Sequence, residues 1–152
     1  MTDSNIQDIP KMHTELVRKS EEIGFTMPSD LYVGSFLKTL IASKPSGRFL
    51  EIGTGIGLSL SWMIEGMDNN SKLISVDNDQ ELTEIANSYF GNDKRIELIC
   101  KDGSQWIKEY AGENFDLIFE INMLDSMVIT MFDRCAYICL FKNCIYCILL
   151  RP

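Results

Sequence analysis

Apolar and polar positions fall into blocks whose period changes along the chain. From Lys11 to Ile23, Met12, Leu16 and Ile23, with Val17 beside them, form a thin stripe at helical spacing, and Gly24 follows as a stop. A fuller stripe, Val33, Phe36, Leu37, Leu40 and Ile41, is opened by Pro28-Ser29-Asp30 and closed by the turn-forming Lys44-Pro45-Ser46-Gly47. Short apolar runs then alternate with helical ones. Arg48 to Ile52, Leu73 to Val76, Ile96 to Cys100 and Phe115 to Phe119 read as strands. Between them, Ser59 to Met67, the set Leu82, Ile85, Ala86, Tyr89 and Phe90 ending at Gly91, and a short stretch with Trp106, Ile107 and Tyr110 read as helices. Strands separated by helices imply right-handed crossovers, so the expectation is an α/β fold with a parallel sheet of at least four strands.

The join between the first strand and the first core helix is Glu51-Ile52-Gly53-Thr54-Gly55-Ile56-Gly57-Leu58-Ser59. Glycines there allow positive φ and close approach of a ligand, and the new helix offers unpaired N–H groups to an anionic group. The spacing narrows the ligand. A dinucleotide fingerprint needs G-x-G-x-x-G, but the third glycine comes one residue early, at Gly57. A P-loop is excluded because no G-K-[ST] follows. An acid at the strand end suits a ligand with positive charge better than a pyrophosphate.

Glu51, Asp77 and Asp102 close the first three strands, so three carboxylates are expected at one edge of the sheet, where such sheets bind cofactors. Asp77 stands 24 positions after Gly53, near the spacing of about 20 residues at which an acid meets ribose hydroxyls. Helix capping competes for these residues. Asn78 or Asp79 is expected to cap the helix at Leu82, leaving Asp77 to the ribose, and Ser104 is the alternative reading of Asp102-Gly103-Ser104 as a plain capped turn.

The pattern Glu51-x-Gly53-x-Gly55-x-Gly57 resembles motif I of the class I S-adenosylmethionine-dependent methyltransferases. With Gly34-Ser35-Phe36-Leu37 upstream and Ser59 beyond the loop, it is most similar to the O-methyltransferases of the catechol and caffeoyl-CoA type, over roughly residues 28 to 119. The resemblance implies a Rossmann-like parallel sheet with helices on both faces, incomplete at its C-terminal end and preceded by N-terminal helices. It implies S-adenosylmethionine as cofactor and a small-molecule methyl acceptor. The implied cofactor contacts are Glu51, Gly53, Thr54, Gly55, Gly57, Ser59, Asp77, Asn78, Asp102, Gly103, Ser104 and Gln105. Among them, Glu51 and the Gly53 backbone would hold the methionine end, Ser59 its carboxylate, Asp77 the ribose, and Asp102 to Gln105 the adenine. Members of this family often hold a divalent cation with an acid just past the fourth strand. Ile121 stands at that position here, with Glu120 one residue early and on the other face, so no metal ligands and no catalytic residue are assigned.

Composition changes the picture in three ways. The chain of 152 residues fits one domain, 45% hydrophobic and 24% charged, as in ordinary globular proteins. A net charge of -8 counts against nucleic acid as a partner. The polar N-terminus lacks the apolar core of a signal peptide, so a cytoplasmic protein with reduced thiols is expected. His13, the only histidine, is expected as a solvated residue at a helix end.

Three regions follow: residues 1–44 as a helical segment, 45–119 as the cofactor-binding core, and 120–152 as an atypical tail. Glu120 to Leu150 contains neither Gly nor Pro, and four of the five cysteines lie between Cys135 and Cys147. Cys144-x-x-Cys147 has no His nearby, and the apolar run is short for a membrane span and carries Lys142, so neither zinc nor a membrane is expected there; an amphipathic or aggregation-prone closing segment and a frameshifted or truncated reading frame compete. The leading function is small-molecule O-methylation, with a homodimer open. Against it stand a methyltransferase acting on protein or RNA and a non-catalytic cofactor-binding or dimerisation remnant.

Overall fold

The run Arg48–Ile52 forms strand β1 at the centre of a sheet, in a computed structural model that describes residues 6–26, 30–121 and 146–150. Two helices precede it, α1 (Lys11–Ile23) and α2 (Leu31–Ala42). After it come α3 (Leu58–Gly66), β2 (Lys72–Asp77), α4 (Gln80–Phe90), β3 (Ile96–Cys100), α5 (Gly103–Glu109), β4 (Leu117–Ile121) and β5 (Tyr146–Leu150). The strand order is β3-β2-β1-β4-β5. The first four strands run parallel, as expected, and β5 pairs antiparallel with β4, Phe119 opposite Ile148.

Two faces cover this sheet because side chains alternate along each strand. Phe49, Leu73, Leu117 and Phe119 point to the side of α1 to α4, where Leu16, Leu37, Ile41, Leu60, Met63 and Phe90 meet them. Leu50, Ile52, Val76 and Ile118 point the other way, against Ile107 of α5 and Phe115. Each such buried side chain stabilises the fold by roughly 1.5–3 kcal/mol of transfer free energy. The closest helix contact is between α2 and α3. A Cβ on Gly34 would stand 2.5 Å from Trp62 Nε1, so only glycine lets Trp62, fully buried, lie flat on α2.

Several local readings change. His13 is not solvated: it is 4% exposed and meets Trp62 edge-on, centroids 5.5 Å apart, because its turn of α1 faces α3. Burial lowers its pKa below the usual histidine value. Ile23, assigned to the apolar stripe, is exposed, and Ser20 takes the inward position and donates to the Val17 carbonyl. Gly24 does end α1 in the left-handed region, and Asp30 caps α2 by accepting from the Tyr32 and Val33 amides. The fourth strand starts two residues later than expected, since Asp116 is held at the β1 edge by Arg48 N–H at 2.9 Å.

That strand also runs past the expected boundary at 119, so Glu120 and Ile121 belong to the sheet, as do residues 146–150 from the end of the apolar run. Pro28, Ser29, Cys135, Cys139 and Cys144 lie outside the described residues, and with them the zinc reading. No helix among the described residues is long and apolar enough to cross a membrane.

Candidate functional site

The polypeptide leaves β1 through a bend in which Gly53, Gly55 and Gly57 take φ of 94°, 52° and 95°. These left-handed values are strained for any residue with a Cβ. Room matters as well. A Cβ on Gly57 would lie 2.6 Å from the Phe90 ring, and one on Gly55 would lie 3.0 Å from Phe25. The bend is held shut by Gly57 N–H donating to the Thr54 carbonyl at 2.9 Å, and Gly57 is the residue from which α3 starts.

Strand register brings the acids to the carboxyl edge. Gly53 N–H donates to the Val76 carbonyl, so the bend sits beside Asp77, and Asp77 pairs with Cys100 one residue before the turn to Asp102. The three carboxylates are nevertheless used differently. Glu51 points inward, fully buried under the bend, where its Oε1 accepts from the Ser59 hydroxyl and its Oε2 from the Ser75 hydroxyl at 2.6 Å. Burial pushes this carboxyl up to about 7; the two hydroxyls pull it back in part, and the Asp77 charge adds to the rise.

Asp77 reaches across to the bend. Its Oδ2 accepts from Gly55 N–H at 2.7 Å and its Oδ1 from Asp79 N–H at 2.9 Å. An ionised carboxylate has about four acceptor positions, so two remain. Asp102 is the N-cap of α5, accepting from Gln105 N–H at 2.8 Å.

The other expected residues scatter around this frame. Thr54 is turned inward, 3% exposed, and its hydroxyl shares a hydrogen bond of 2.6 Å with that of Ser75. Asn78 is exposed, and Asp79 rather than Asn78 caps α4, through the Leu82 amide. Asp102, not Ser104, is the cap of the next helix, because the residue one turn ahead of Gln105 N–H is the aspartate. Gly103 lets α5 come down on Ile52, whose Cγ2 would be 2.5 Å from a Cβ there. Gln105 is exposed and its amide donates to Glu109.

Sequence reasoning missed two residues, Ser75 and Phe25, and gave a third, Glu120, no role. Ser75 is a lone polar residue in an apolar run and stands in register with Glu51, a signal that pairing of the two central strands would have disclosed. Phe25, beyond the end of α1, packs on the bend with no sequence signal of its own. Glu120 is 2% exposed beside Ile52 on the α5 face; burial pushes it up to about 7, and among the described residues its Oε2 has no hydrogen-bond partner.

A family model described as O-methyltransferase matches residues 5–146. A candidate O-methyltransferase of Mycobacterium leprae is 30% identical over 105 residues, which are 66% of this chain and 46% of that protein. Another, of Mycolicibacterium smegmatis, is 30% identical over 91 residues, 57% of this chain and 43% of its own. The chain therefore spans less than half the length of these curated relatives. The SAH-bound methyltransferase of Podospora anserina superposes with a TM-score of 0.67 at 28% identity, over 85% of this chain and 57% of that one. The O-methyltransferase TomG of Streptomyces achromogenes, solved with SAM, gives 0.68 at 13% identity over 98% and 93%, which bears on the fold alone.

Proposed function

Because the chain belongs to the O-methyltransferase family, we propose that it binds S-adenosylmethionine (SAM) at the glycine bend and takes part in methyl transfer to a hydroxyl of a small molecule. One observation carries the reading: a bend of three left-handed glycines, braced by Asp77 through Gly55 N–H, lies between the central strand and the start of a helix. Three of the five residues of the bend carry no side chain, the first turn of a helix such as α3 offers amides to an anion, and Asp77 keeps acceptor positions for a vicinal diol.

When bound, SAM supplies an electrophilic methyl on a sulfonium, and the chain's own residues have to orient and exclude water. Asp77 would fix the ribose, the Gly53 backbone and α3 amides the amino-acid end, and the Asp102–Gln105 turn would flank the adenine. Ser75 and Thr54 would serve indirectly, by holding Glu51. No divalent cation is proposed, since Ile121, the last residue of β4, has no ligating side-chain atom. The exposed, free thiol of Cys100 suits a reducing cytoplasm. A homodimer is compatible with β5 being the edge strand among the described residues.

Titration calorimetry with SAM and with its product S-adenosylhomocysteine (SAH), followed by a methyl-transfer assay on catechols and simple phenols, tests this. Asp77→Ala should weaken cofactor binding by tenfold or more, on the scale of about 1.5–3 kcal/mol for charge-assisted hydrogen bonds. Unchanged affinity would remove Asp77 from the site. A second reading, cofactor binding without turnover, is favoured by Ile121 standing where the resemblance calls for an acid; binding with no transfer to any phenol would select it.

A further inference from the structure

Glu51, fully buried, has both oxygens engaged by hydroxyls, Ser59 on one side and Ser75 on the other. A serine hydroxyl carries a single hydrogen. While Glu51 is ionised, Ser59 gives that hydrogen to the carboxylate, and only its lone pairs face anything else. Once Glu51 holds a proton, its own O–H can donate to Ser59 Oγ, and the Ser59 hydrogen needs a new acceptor. Ser75 is less free to respond, because its hydroxyl is shared with Thr54 at 2.6 Å.

Ser59 is the second residue of α3, in the turn whose unpaired amides favour an anion. Among the described residues no cation stands against Glu51. Ser59 approaches it from α3, Ser75 from β2 and Phe119 lies in register on β4, while the charge of Asp77 favours the protonated form. The carboxyl is accordingly poised near neutrality.

We propose that Glu51 takes up a proton as the cofactor's amino-acid carboxylate docks at the start of α3, turning Ser59 from a donor to Glu51 into a donor to that carboxylate. The inference rests on the reading that the bend binds SAM. The proton comes from solvent and ends on Glu51 Oε1; the Glu51 O–H then donates to Ser59 Oγ, and the Ser59 O–H to the ligand, with no bond between heavy atoms made or broken. Glu51 is thus a positioning residue acting through Ser59. It does not need to touch the cofactor's ammonium, which a carboxylate with both oxygens already engaged is poorly placed to do.

The consequence is a pH-dependent affinity. Binding of SAM and SAH should weaken as the pH rises above about 7, toward tenfold per pH unit. Calorimetry of the full chain with SAH at about pH 7.5, in phosphate and in Tris, whose heats of ionisation differ, counts the protons exchanged. The expected result is net uptake of a fraction of a proton per SAH. 5′-Methylthioadenosine, which lacks the amino-acid end, should bind with none. Glu51→Gln should bind SAH without uptake and with a flattened pH profile. Release or zero exchange by the unaltered chain, or equal uptake with 5′-methylthioadenosine, overturns the inference, and these counts decide even where the variant does not fold. Failure of SAH to bind at any pH is a different outcome and removes the parent reading together with this one.

Discussion

Two buried carboxyls, Glu51 and Glu120, are both raised by burial to about 7 from an ordinary value of 4.5. An acid whose folded-state pKa lies above its unfolded one opposes folding when ionised. Stability is therefore greatest below about 4.5 as far as these groups are concerned, and is lost as the pH rises from there through about 7. His13 works in the opposite sense: lowered by burial, its contribution is present above the ordinary 6.5 and lost as the pH falls below it. The slopes overlap, so the wild-type curve alone mixes them. The difference between wild type and Glu120→Gln isolates one. In urea unfolding of the ligand-free chain, the Gln variant should gain on wild type between about pH 5 and pH 8, by up to about 3 kcal/mol at roughly 1.4 kcal/mol per pKa unit. A difference that does not change with pH would show that Glu120 is solvated. Residues of this kind were only partly legible in the sequence. Glu51 was picked out by its place before the glycines, but whether it faced the ligand or the core depended on Ser59 and Ser75, whose approach is set by packing across the sheet. His13 was misplaced for the same reason: a helix stripe with few apolar residues does not say which side is covered.

Elements show the conflict between capping and binding that acidic residues at strand ends always present. Asp30, Asp79 and Asp102 each accept from amides in the first turn of the following helix. Replacing such a cap with alanine costs about 1 kcal/mol, whereas asparagine keeps the acceptor. If Asp102 acts only as a cap, Asp102→Ala should lower stability by about that amount and Asp102→Asn should restore it, with SAH affinity unchanged in both. An asparagine variant that is stable yet binds SAH several-fold less tightly would give the carboxylate a role at the adenine. Element type was well legible where apolar period and punctuation agreed, as in α4 between Asp79 and Gly91 or β1 between the Lys44–Gly47 turn and the glycines. Caps were not, because Asn78 and Asp79 satisfy the same spacing rule and only the course of the backbone selects one. β5 was not legible at all. An unbroken apolar run has no period to separate strand from helix, and Tyr146–Leu150 becomes a strand because β4 offers it an edge.

At the scale of the molecule, the central pair β1 and β4 decides how much of the sheet can stand without its last strand. β4 carries Leu117, Ile118 and Phe119, all buried, and one of its edges is bonded to β1. The other edge is satisfied by β5, from Leu117 opposite Leu150 to Ile121 opposite Tyr146. Removing residues 146–152 would leave a strand of the core, apolar on both faces, with a row of unpaired N–H and C=O groups open to any partner. Water can satisfy those groups, but a second copy satisfies them and covers the flanking apolar side chains at the same time. The shortened chain should therefore associate as its concentration rises, with a sedimentation coefficient that grows across a dilution series, while the glycine bend on the far side of β1 continues to bind SAH. A shortened chain that stays monomeric at every concentration would mean that β5 contributes little to closing the sheet. Loss of SAH binding alongside monomeric behaviour would place the effect of β5 on the folding of β1 and β4 themselves, the two strands from which the bend is built.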